Sequence, residues 1–145
     1  MKELDCRVLR FLGTIYRATN SKADYKYKQF DLQKGQYMFL TRICENPGIN
    51  FVDLSNMLKV DKTTTTKAVH KLIEIGYLNK EQDEKDKREY KLNPSKKGLE
   101  VYEFILEEER KQLEISLKGF SEEEKRLATE LIVRMSDNIE EYWIK

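Results

Sequence analysis

Apolar residues near the start of the chain recur every three or four positions, which is the spacing of one face of an α-helix. This pattern predicts a first helix from Leu4 to about Thr19. Its apolar stripe consists of Leu4, Val8, Phe11, Leu12 and Ile15. Residues 20–30 are polar and contain tyrosine, and the pattern leaves open whether they end this helix or connect it to the next.

Three shorter helices are predicted in the middle of the chain. The first carries an apolar stripe over residues 37–44, and the Asn-Pro-Gly cluster at 46–48 ends it. Asn50 can cap a second, short helix. Asp61 can cap a third and longer one, which Gly76 ends. A short helix, a tight turn and a longer helix in this order predict a helix-turn-helix.

A β-hairpin is predicted directly after the helix-turn-helix. Tyr77 and Leu78 begin a strand-like segment, and Tyr90 and Leu92 alternate with charged residues in a second one. The charged residues 83–88 lie between the two strands as the hairpin tip. A hairpin in this position is a wing.

Two long helices are predicted in the rest of the chain. Ser95 can cap the first of them, and Gly119 interrupts the pattern. Ser121 and Glu124 form the capping box of the last helix, whose apolar stripe continues to Trp143. A stripe of this length needs a partner surface.

The helix that begins after Asp61 carries the candidate chemistry. At about 100° per residue its side chains separate into a buried stripe and an outward face of hydroxyls and lysines, with Thr65 turned back toward the stripe. Threonine costs up to about 0.7 kcal/mol relative to alanine inside a helix, so the threonine run at 63–66 indicates a surface constrained by function. Two other interpretations are open. The threonines could simply occupy a first helical turn, where threonine is tolerated, or the run could be a strand. The Asp61 cap and the helical stripe disfavour the strand. Short hydroxyls can approach base edges and phosphates closely, and lysines can reach phosphate or guanine acceptors, so this face suits DNA. The candidate DNA contacts on this helix are Lys62, Thr63, Thr64, Thr66, Lys67, His70 and Lys71.

The charged hairpin tip has two interpretations. A charge run of this kind is most often a solvated turn. Its position beside a recognition helix favours a second hypothesis, in which a basic side chain enters a neighbouring minor groove. The candidate contacts at the tip are Lys85, Asp86, Lys87 and Arg88.

Charge and composition limit the function further. The chain has 27 lysine and arginine residues and 26 aspartate and glutamate residues, and its net charge of +1 does not mark the whole molecule as a polyanion binder. Acidic residues are concentrated after residue 98, so nucleic acid is expected to bind elsewhere on the chain. The charged N-terminus and the lack of a long apolar run predict a cytoplasmic protein with no membrane partner.

Candidate catalytic and metal-binding groups are sparse. Cys6 and Cys44 are far apart in sequence, and the single histidine, His70, has no visible triad or metal partners. The sequence has no glycine-rich phosphate loop and no nucleophile elbow. We therefore expect no enzyme, no metal and no cofactor, and we expect His70 to be a phosphate contact or an ordinary surface residue.

The stretch from residue 36 to residue 98 resembles the MarR family of bacterial transcriptional regulators. The matching residues are Leu54, Val60, Asp61, Lys62, Thr63, Thr64, Thr66, Leu72, Gly76, Asp83, Asp86 and Arg88. Lys67 and Lys80 stand where arginine is more common in the family, and Pro94 replaces the usual apolar residue. Lys67 lacks the bidentate fork of arginine, so sequence discrimination there is expected to be weaker.

The resemblance implies a homodimer held by the first helix and the last two. A twofold axis would place two recognition helices in successive major grooves about 34 Å apart, on a near-palindromic operator. The stripe of the last helix agrees because it is too apolar to be left in water, although it could also pack only within the chain. The candidate dimerisation residues are Leu4, Val8, Leu12, Leu127, Leu131, Met135, Ile139 and Trp143.

The resemblance also implies a small phenolic or other aromatic effector bound between the dimerisation helices and the DNA-binding lobe. Tyr16, Tyr37 and Tyr102 could line such a cavity, although aromatic residues at helical spacing are more often core. Some family members sense oxidants through a cysteine in the first helix, where Cys6 lies. We expect Cys6 to be a buried, structural cysteine instead.

Together these patterns predict one domain over residues 1–145, mainly α with a small β-hairpin wing (α+β). A winged helix-turn-helix lobe over 33–93 is flanked by dimerisation helices in 1–30 and 95–145. The predicted function is a sequence-specific regulator that binds duplex DNA as a homodimer, represses transcription and is released by a small ligand. The alternative is a winged-helix module that binds protein and not DNA. Salt-dependent binding to duplex DNA distinguishes the two.

Overall fold

The computed structural model describes residues 2–144, with side-chain surroundings for residues 2–143. Within this range the chain is helical apart from one antiparallel hairpin, which confirms the predicted fold class. The elements in order are α1 (Arg7–Lys26), a 3₁₀ turn (Tyr27–Phe30), α2 (Gln36–Glu45), α3 (Phe51–Leu58), α4 (Lys62–Glu74), β1 (Leu78–Gln82), β2 (Tyr90–Pro94), α5 (Lys96–Ser116) and α6 (Glu122–Ile144). None of these described helices is long and apolar enough to cross a membrane.

Helix α1 begins and ends later than the apolar stripe predicts. Leu4 precedes the helix, because the Asp5 carboxylate accepts a hydrogen bond from the Arg7 backbone N–H at 3.1 Å and so starts the helix beyond it. The helix continues past Thr19 to Lys26, since Ala23 and Tyr27 are buried and extend its inner face. The polar stretch that followed the stripe is therefore the second half of α1 and the 3₁₀ turn.

The predicted helix caps are confirmed. Asn50 accepts a hydrogen bond from the Asp53 backbone N–H at 2.8 Å, and Asp61 accepts one from the Thr64 N–H at 2.7 Å. Ser95 caps α5 in the same way. The Ser121 and Glu124 capping box of α6 is also present, with both reciprocal hydrogen bonds formed.

The main core lies where α2 packs against α3, α4, α5 and β2. Fully buried residues come from each of these elements, so the core is continuous from the helix-turn-helix to the first turns of α5. They include Leu40, Ile43, Leu54, Val69, Leu72, Leu92 and Ile105.

A pair of buried hydroxyls joins α3 to α4. The Ser55 hydroxyl donates to Thr65 Oγ1 at 2.7 Å, and the Thr65 hydroxyl donates to the Asp61 carbonyl oxygen at 3.2 Å. Ser55 and Thr65 are both buried, and Thr65 points inward as its helical position predicts. The hydrogen bonds fix the turn between the two helices from the inside.

The hairpin is tied to the rest of the lobe through the outer edge of β2. Strands β1 and β2 pair in register from Leu78 with Pro94 to Gln82 with Tyr90. On the other side of β2, the Leu92 backbone N–H donates to the Ile49 carbonyl at 2.9 Å. The segment before α3 therefore covers the free edge of β2.

The start of α5 is in backbone contact with the start of the hairpin. The Ser95 backbone N–H donates to the Tyr77 carbonyl at 2.9 Å, and the Ser95 hydroxyl donates to the Gly76 carbonyl at 2.6 Å. A Cβ atom at Gly98 would lie 2.2 Å from the same Tyr77 oxygen. This close approach requires glycine at position 98.

Helix α6 stands apart from the core. Among residues 122–143, none is buried. One ion pair, between Lys59 at the end of α3 and Glu140, connects the helix to the lobe. The apolar stripe of α6 is thus not covered by the part of the chain that the structure describes.

Candidate nucleic-acid interface

The first half of α4 presents the predicted outward face. Lys62, Thr63, Thr64, Thr66 and Lys67 are all exposed. Their backbone is held by the Asp61 cap at one end and by buried Ala68, Val69 and Leu72 along the inner side. The same face therefore combines short hydroxyl side chains with two long cationic ones.

Asp61 sets the start of this face. Hydrogen bonds from the backbone N–H and side chain of Thr64 lower the pKa of the Asp61 carboxyl below its usual value. The carboxylate therefore stays ionised at neutral pH and occupies the N-terminus of α4, where the helix dipole favours an anion. The Thr66 hydroxyl donates to the Lys62 carbonyl at 2.8 Å and is held against its own helix.

Two predicted contacts lie further along α4. Lys71 is partly buried, and its Nζ lies 3.6 Å from Asp31 Oδ2. This ion pair partly neutralises the charge of Lys71. His70 is exposed, with its ring centroid 6.3 Å from that of Phe51. The structure therefore groups residues 62–67 closely and places Lys71 at the margin.

The hairpin tip is an ordered turn. Asp83 Oδ1 accepts hydrogen bonds from the backbone N–H groups of Lys85 at 2.8 Å and Asp86 at 3.0 Å. These bonds lower the pKa of the Asp83 carboxyl. The acidic residue at position 83 therefore shapes the turn.

Asp86 holds the arginine of the tip. Its Oδ1 accepts from Arg88 Nε at 3.1 Å and its Oδ2 from Arg88 Nη2 at 3.2 Å, and the side-chain bond lowers the pKa of the Asp86 carboxyl. The Arg88 side chain is 89% exposed despite this pairing. Lys85 and Lys87 are exposed as well. The D-x-x-D-x-R pattern thus builds a turn and orients one guanidinium group.

Two of the three predicted ligand tyrosines share a cavity between the helices and the lobe. The cavity has a volume of about 260 Å³, and its lining includes Tyr16, Tyr37, Arg42, Glu45, Leu58 and Glu109. Tyr102 does not line it, but its hydroxyl donates to Glu45 Oε2 at 2.8 Å. The charged lining residues were missed in the sequence, because helical periodicity marks them only as polar surface.

The predicted dimerisation residues are exposed on the isolated chain, except for Leu12, which is half-buried. Exposed fractions run from 89% for Leu4 to 40% for Met135. Further large apolar side chains that the prediction did not include are exposed in the same helices. They include Phe11, Ile15, Leu113, Ile115 and Ile132.

The expectation that Cys6 is buried is wrong for this chain. Cys6 precedes the first turn of α1, beyond the reach of the core, and its side chain is exposed. Cys44 is the partly buried cysteine, and burial raises the pKa of its thiol to about 11. The protonated, unreactive thiol is therefore the one in α2.

The helix-turn-helix of α3 and α4, followed directly by the β1–β2 hairpin, defines a winged helix-turn-helix. Residues 32–90 match the sequence model of the MarR family. The HTH-type transcriptional regulator YybA of Bacillus subtilis is 42% identical over 136 residues, which are 94% of this chain and 91% of that protein. The chain belongs to the MarR family and is a transcriptional regulator, which confirms the resemblance noted in the sequence.

Solved structures agree with this assignment. A MarR protein from Peptoclostridium difficile is 58% identical with a TM-score of 0.89, and the match covers 99% of this chain and 94% of that one. A MarR family transcriptional regulator from Listeria monocytogenes, solved in complex with 26mer DNA, is 35% identical with a TM-score of 0.90. That match covers 99% of this chain and 93% of the Listeria chain.

Proposed function

We propose that this regulator binds duplex DNA as a homodimer on a near-palindromic operator and represses transcription there. The observation that carries the proposal is the exposed threonine and lysine face of α4 at residues 62–67. The Listeria relative, whose structure was solved with DNA, has the same fold over nearly the whole chain and supports it. Because DNA is its target, we place the protein in the cytoplasm and assign it no catalytic role.

The chemistry of the face suits a major groove. Short hydroxyls at Thr63 and Thr64 allow close approach to base edges and phosphates, and Lys62 and Lys67 reach phosphate or guanine acceptors. Arg88, held by Asp86, is the side chain at the hairpin tip that we assign to the adjacent minor groove.

The homodimer rests on the uncovered faces of α1, α5 and α6. Leu127, Leu131 and Met135 lie along one side of α6 and are each at least 40% exposed. Apolar surface of this extent is rarely left in water by a soluble chain, whereas a second copy would cover it. The twofold axis would then space two α4 helices for successive major grooves, about 34 Å apart.

A small effector is the proposed signal for release. The cavity that Tyr16 and Tyr37 share is contacted by α1 and α5 on one side and by α2 and α3 on the other. A ligand there touches both the dimerisation helices and the DNA-binding lobe. It can therefore favour one spacing of the two lobes over another, which is what a change in operator affinity requires.

A salt titration tests the DNA-binding face. Lys67→Gln removes one phosphate contact, so the slope of log affinity against log salt should become shallower by about 1. Fluorescence anisotropy with a labelled operator duplex measures both slopes. Lys118→Gln is the control, because it removes the same charge from the exposed turn that follows α5. An unchanged slope for Lys67→Gln would remove Lys67 from the interface.

The wing hypothesis has its own test. Arg88→Ala should weaken operator binding by about 1 to 3 kcal/mol, the range for a specific side-chain contact. The measurement is the same anisotropy titration at one fixed salt concentration. A variant that bound operator as tightly as the wild type would leave the hairpin tip as a solvated turn.

The second candidate function is a winged-helix module that binds protein. The net charge of +1 favours it, because many DNA-binding domains are strongly basic. The two functions give opposite results in the salt titration. Complete absence of salt-dependent binding to duplex DNA would favour the protein-binding module.

A further inference from the structure

The cavity between α1, α2 and α5 contains more negative than positive charge. Glu45 and Glu109 both line it, and Arg42 is the basic residue beside them. Arg42 Nη1 lies 3.7 Å from Glu45 Oε1, so its charge is balanced by that carboxylate. Arg42 is thus the counter-charge in the cavity wall for both Glu45 and Glu109, which leaves one negative charge in excess.

Glu109 is half-buried and shows the effect of this imbalance. Burial raises the pKa of its carboxyl, Glu45 raises it further, and Arg42 opposes them. Among the described residues, no hydrogen bond contributes to the shift of this pKa. A partly desolvated carboxylate without a donor is unfavourable, and a cation in the cavity would relieve it.

The hydroxyl protons around the cavity already have acceptors. Tyr37 donates to Asn20 Oδ1 at 2.9 Å, Tyr102 donates to Glu45 Oε2 at 2.8 Å, and Thr41 donates to the Met38 carbonyl at 3.0 Å. These three hydroxyl groups therefore offer no free proton to an anionic ligand, and the charged donor in the wall is the Arg42 guanidinium, which Glu45 already pairs. The tyrosine rings remain as apolar and electron-rich surfaces, which attract cations.

A second polar group behind the cavity is also unsatisfied. Tyr27 is fully buried, packs edge-on against Tyr37 with ring centroids 5.0 Å apart, and its hydroxyl has no hydrogen-bond partner within the described chain. Burial raises the pKa of this hydroxyl, and the nearby Glu109 and Glu108 raise it further. The Tyr27 hydroxyl is therefore protonated and neutral, so the Glu109 carboxylate is the charged group at this corner of the cavity.

We infer that the cavity binds a small organic cation with a flat apolar body, such as an aromatic amine or amidine, with Glu109 as its counter-ion. The inference rests on the proposed effector site and adds the charge of the ligand. A volume of about 260 Å³ is below the 300–1,000 Å³ of pockets for drug-sized molecules, which suits a molecule with one ring. The ring would lie against Tyr16 and Tyr37.

Two probes of equal shape and opposite charge test this inference. Benzamidine is a cation and benzoate an anion at neutral pH, and each is a single ring with one planar substituent. Isothermal titration of the full-length protein without DNA should show benzamidine binding at least about tenfold tighter, a difference of about 1.4 kcal/mol. Glu109→Gln should remove the preference, whereas Glu103→Gln, an exposed position on α5, should keep it.

Several outcomes would overturn the inference. For the wild type they are tighter binding of benzoate, equal binding of the two probes, or no saturable binding of benzamidine. For Glu109→Gln, the contrary outcome is benzamidine binding that stays unchanged. A thermal-unfolding measurement on each variant confirms that it is folded before titration. A folded Glu109→Gln that binds both probes equally is the expected result.

The operator assay separates this inference from the proposed function. If benzamidine binds as expected but does not change operator affinity, the charge preference stands and the proposed effector role fails. If the protein binds no duplex DNA, the DNA-binding proposal fails. The ligand titration contains no DNA and still decides the charge of the ligand.

Discussion

The lobe from α2 to β2 buries most of its apolar side chains. The helical region of α1, α5 and α6 leaves many of them exposed. In the lobe, Leu40, Leu54 and Leu72 are fully buried within one chain. In α6, no residue of 122–143 is buried, and Trp143 near its end is 42% exposed. The lobe is therefore a closed unit, whereas the helical region has an open apolar surface.

The difference shows where each region obtains its stability. The lobe buries its apolar stripe against its own elements and satisfies its polar groups internally, as at Ser55 and Thr65. The helical region has internal ties, such as the Lys26 ion pair with Glu108 between α1 and α5, but these leave its apolar faces uncovered. We therefore expect the lobe to depend on intrachain contacts and α6 to depend on a second chain.

The largest expected effect comes from a charge placed on the open face. Leu131→Glu should dissociate the proposed dimer, because the carboxylate would be buried without a partner. Light scattering should show the mass fall from two chains to one, and operator affinity should drop by at least about 100-fold as one lobe is lost. Thr129→Glu, an exposed position turned about 160° away on α6, is the control. A dimeric Leu131→Glu would show that this face packs elsewhere.

A smaller effect is expected from the buried hydroxyl pair in the lobe. Thr65→Val keeps the shape but removes the hydrogen bonds to Ser55 and the Asp61 carbonyl, and should lower the free energy of unfolding by about 1 to 3 kcal/mol. Thr65→Ser retains the hydroxyl and should lose less. Urea unfolding measures the change. Because both partners lie in one chain, the difference from wild type should not vary with protein concentration.

The smallest effect concerns acid. The folded-state pKa of Asp61 is lowered, so its contribution to stability is present above its unfolded pKa of roughly 4 and is lost as pH falls through the lower folded value. Asp61→Asn keeps a good helix cap but has no carboxyl group to protonate. Its free energy of unfolding should therefore fall less steeply than that of the wild type as the pH is lowered below roughly 4. Urea midpoints measured across that range check this. Identical acid profiles for the two proteins would show that the carboxylate charge does not matter.

The sequence predicted the lobe well because its elements carry local signals. Helices α3 and α4 each have a capping side chain, at Asn50 and Asp61, and Gly35, Gly48 and Gly76 lie at the helix boundaries. The recognition face followed from the same periodicity, since buried Thr65 among exposed threonines is a helical pattern. Local rules were enough where the core is made from neighbouring segments.

The helical region was predicted less well because its ends depend on distant contacts. The end of α1 is set by burial of Ala23 and Tyr27, and Tyr27 packs against Phe104 of α5. Periodicity in a single segment carries no information about that contact. The exposure of Cys6 was missed for the same reason, since the core does not reach the start of α1.

The cavity shows the same limit for chemistry. Glu45 and Glu109 are far apart in sequence and meet only when α2 packs on α5. In the sequence each is one acidic residue on a helix among many. Ser55 was also missed, although a small polar residue beside buried Leu54 is a signal that could have indicated an internal hydrogen bond.

The glycine at position 98 has a mechanical consequence. The Tyr77 carbonyl oxygen occupies the space that a Cβ at this position would need. The backbone of α5 is therefore in direct contact with the backbone at the base of the wing. Ser95 locks the same joint with two hydrogen bonds. A tilt of α5 should therefore move the wing and the recognition helix with it as one rigid unit. A larger residue at position 98 would push α5 away from the Tyr77 carbonyl and weaken this mechanical coupling.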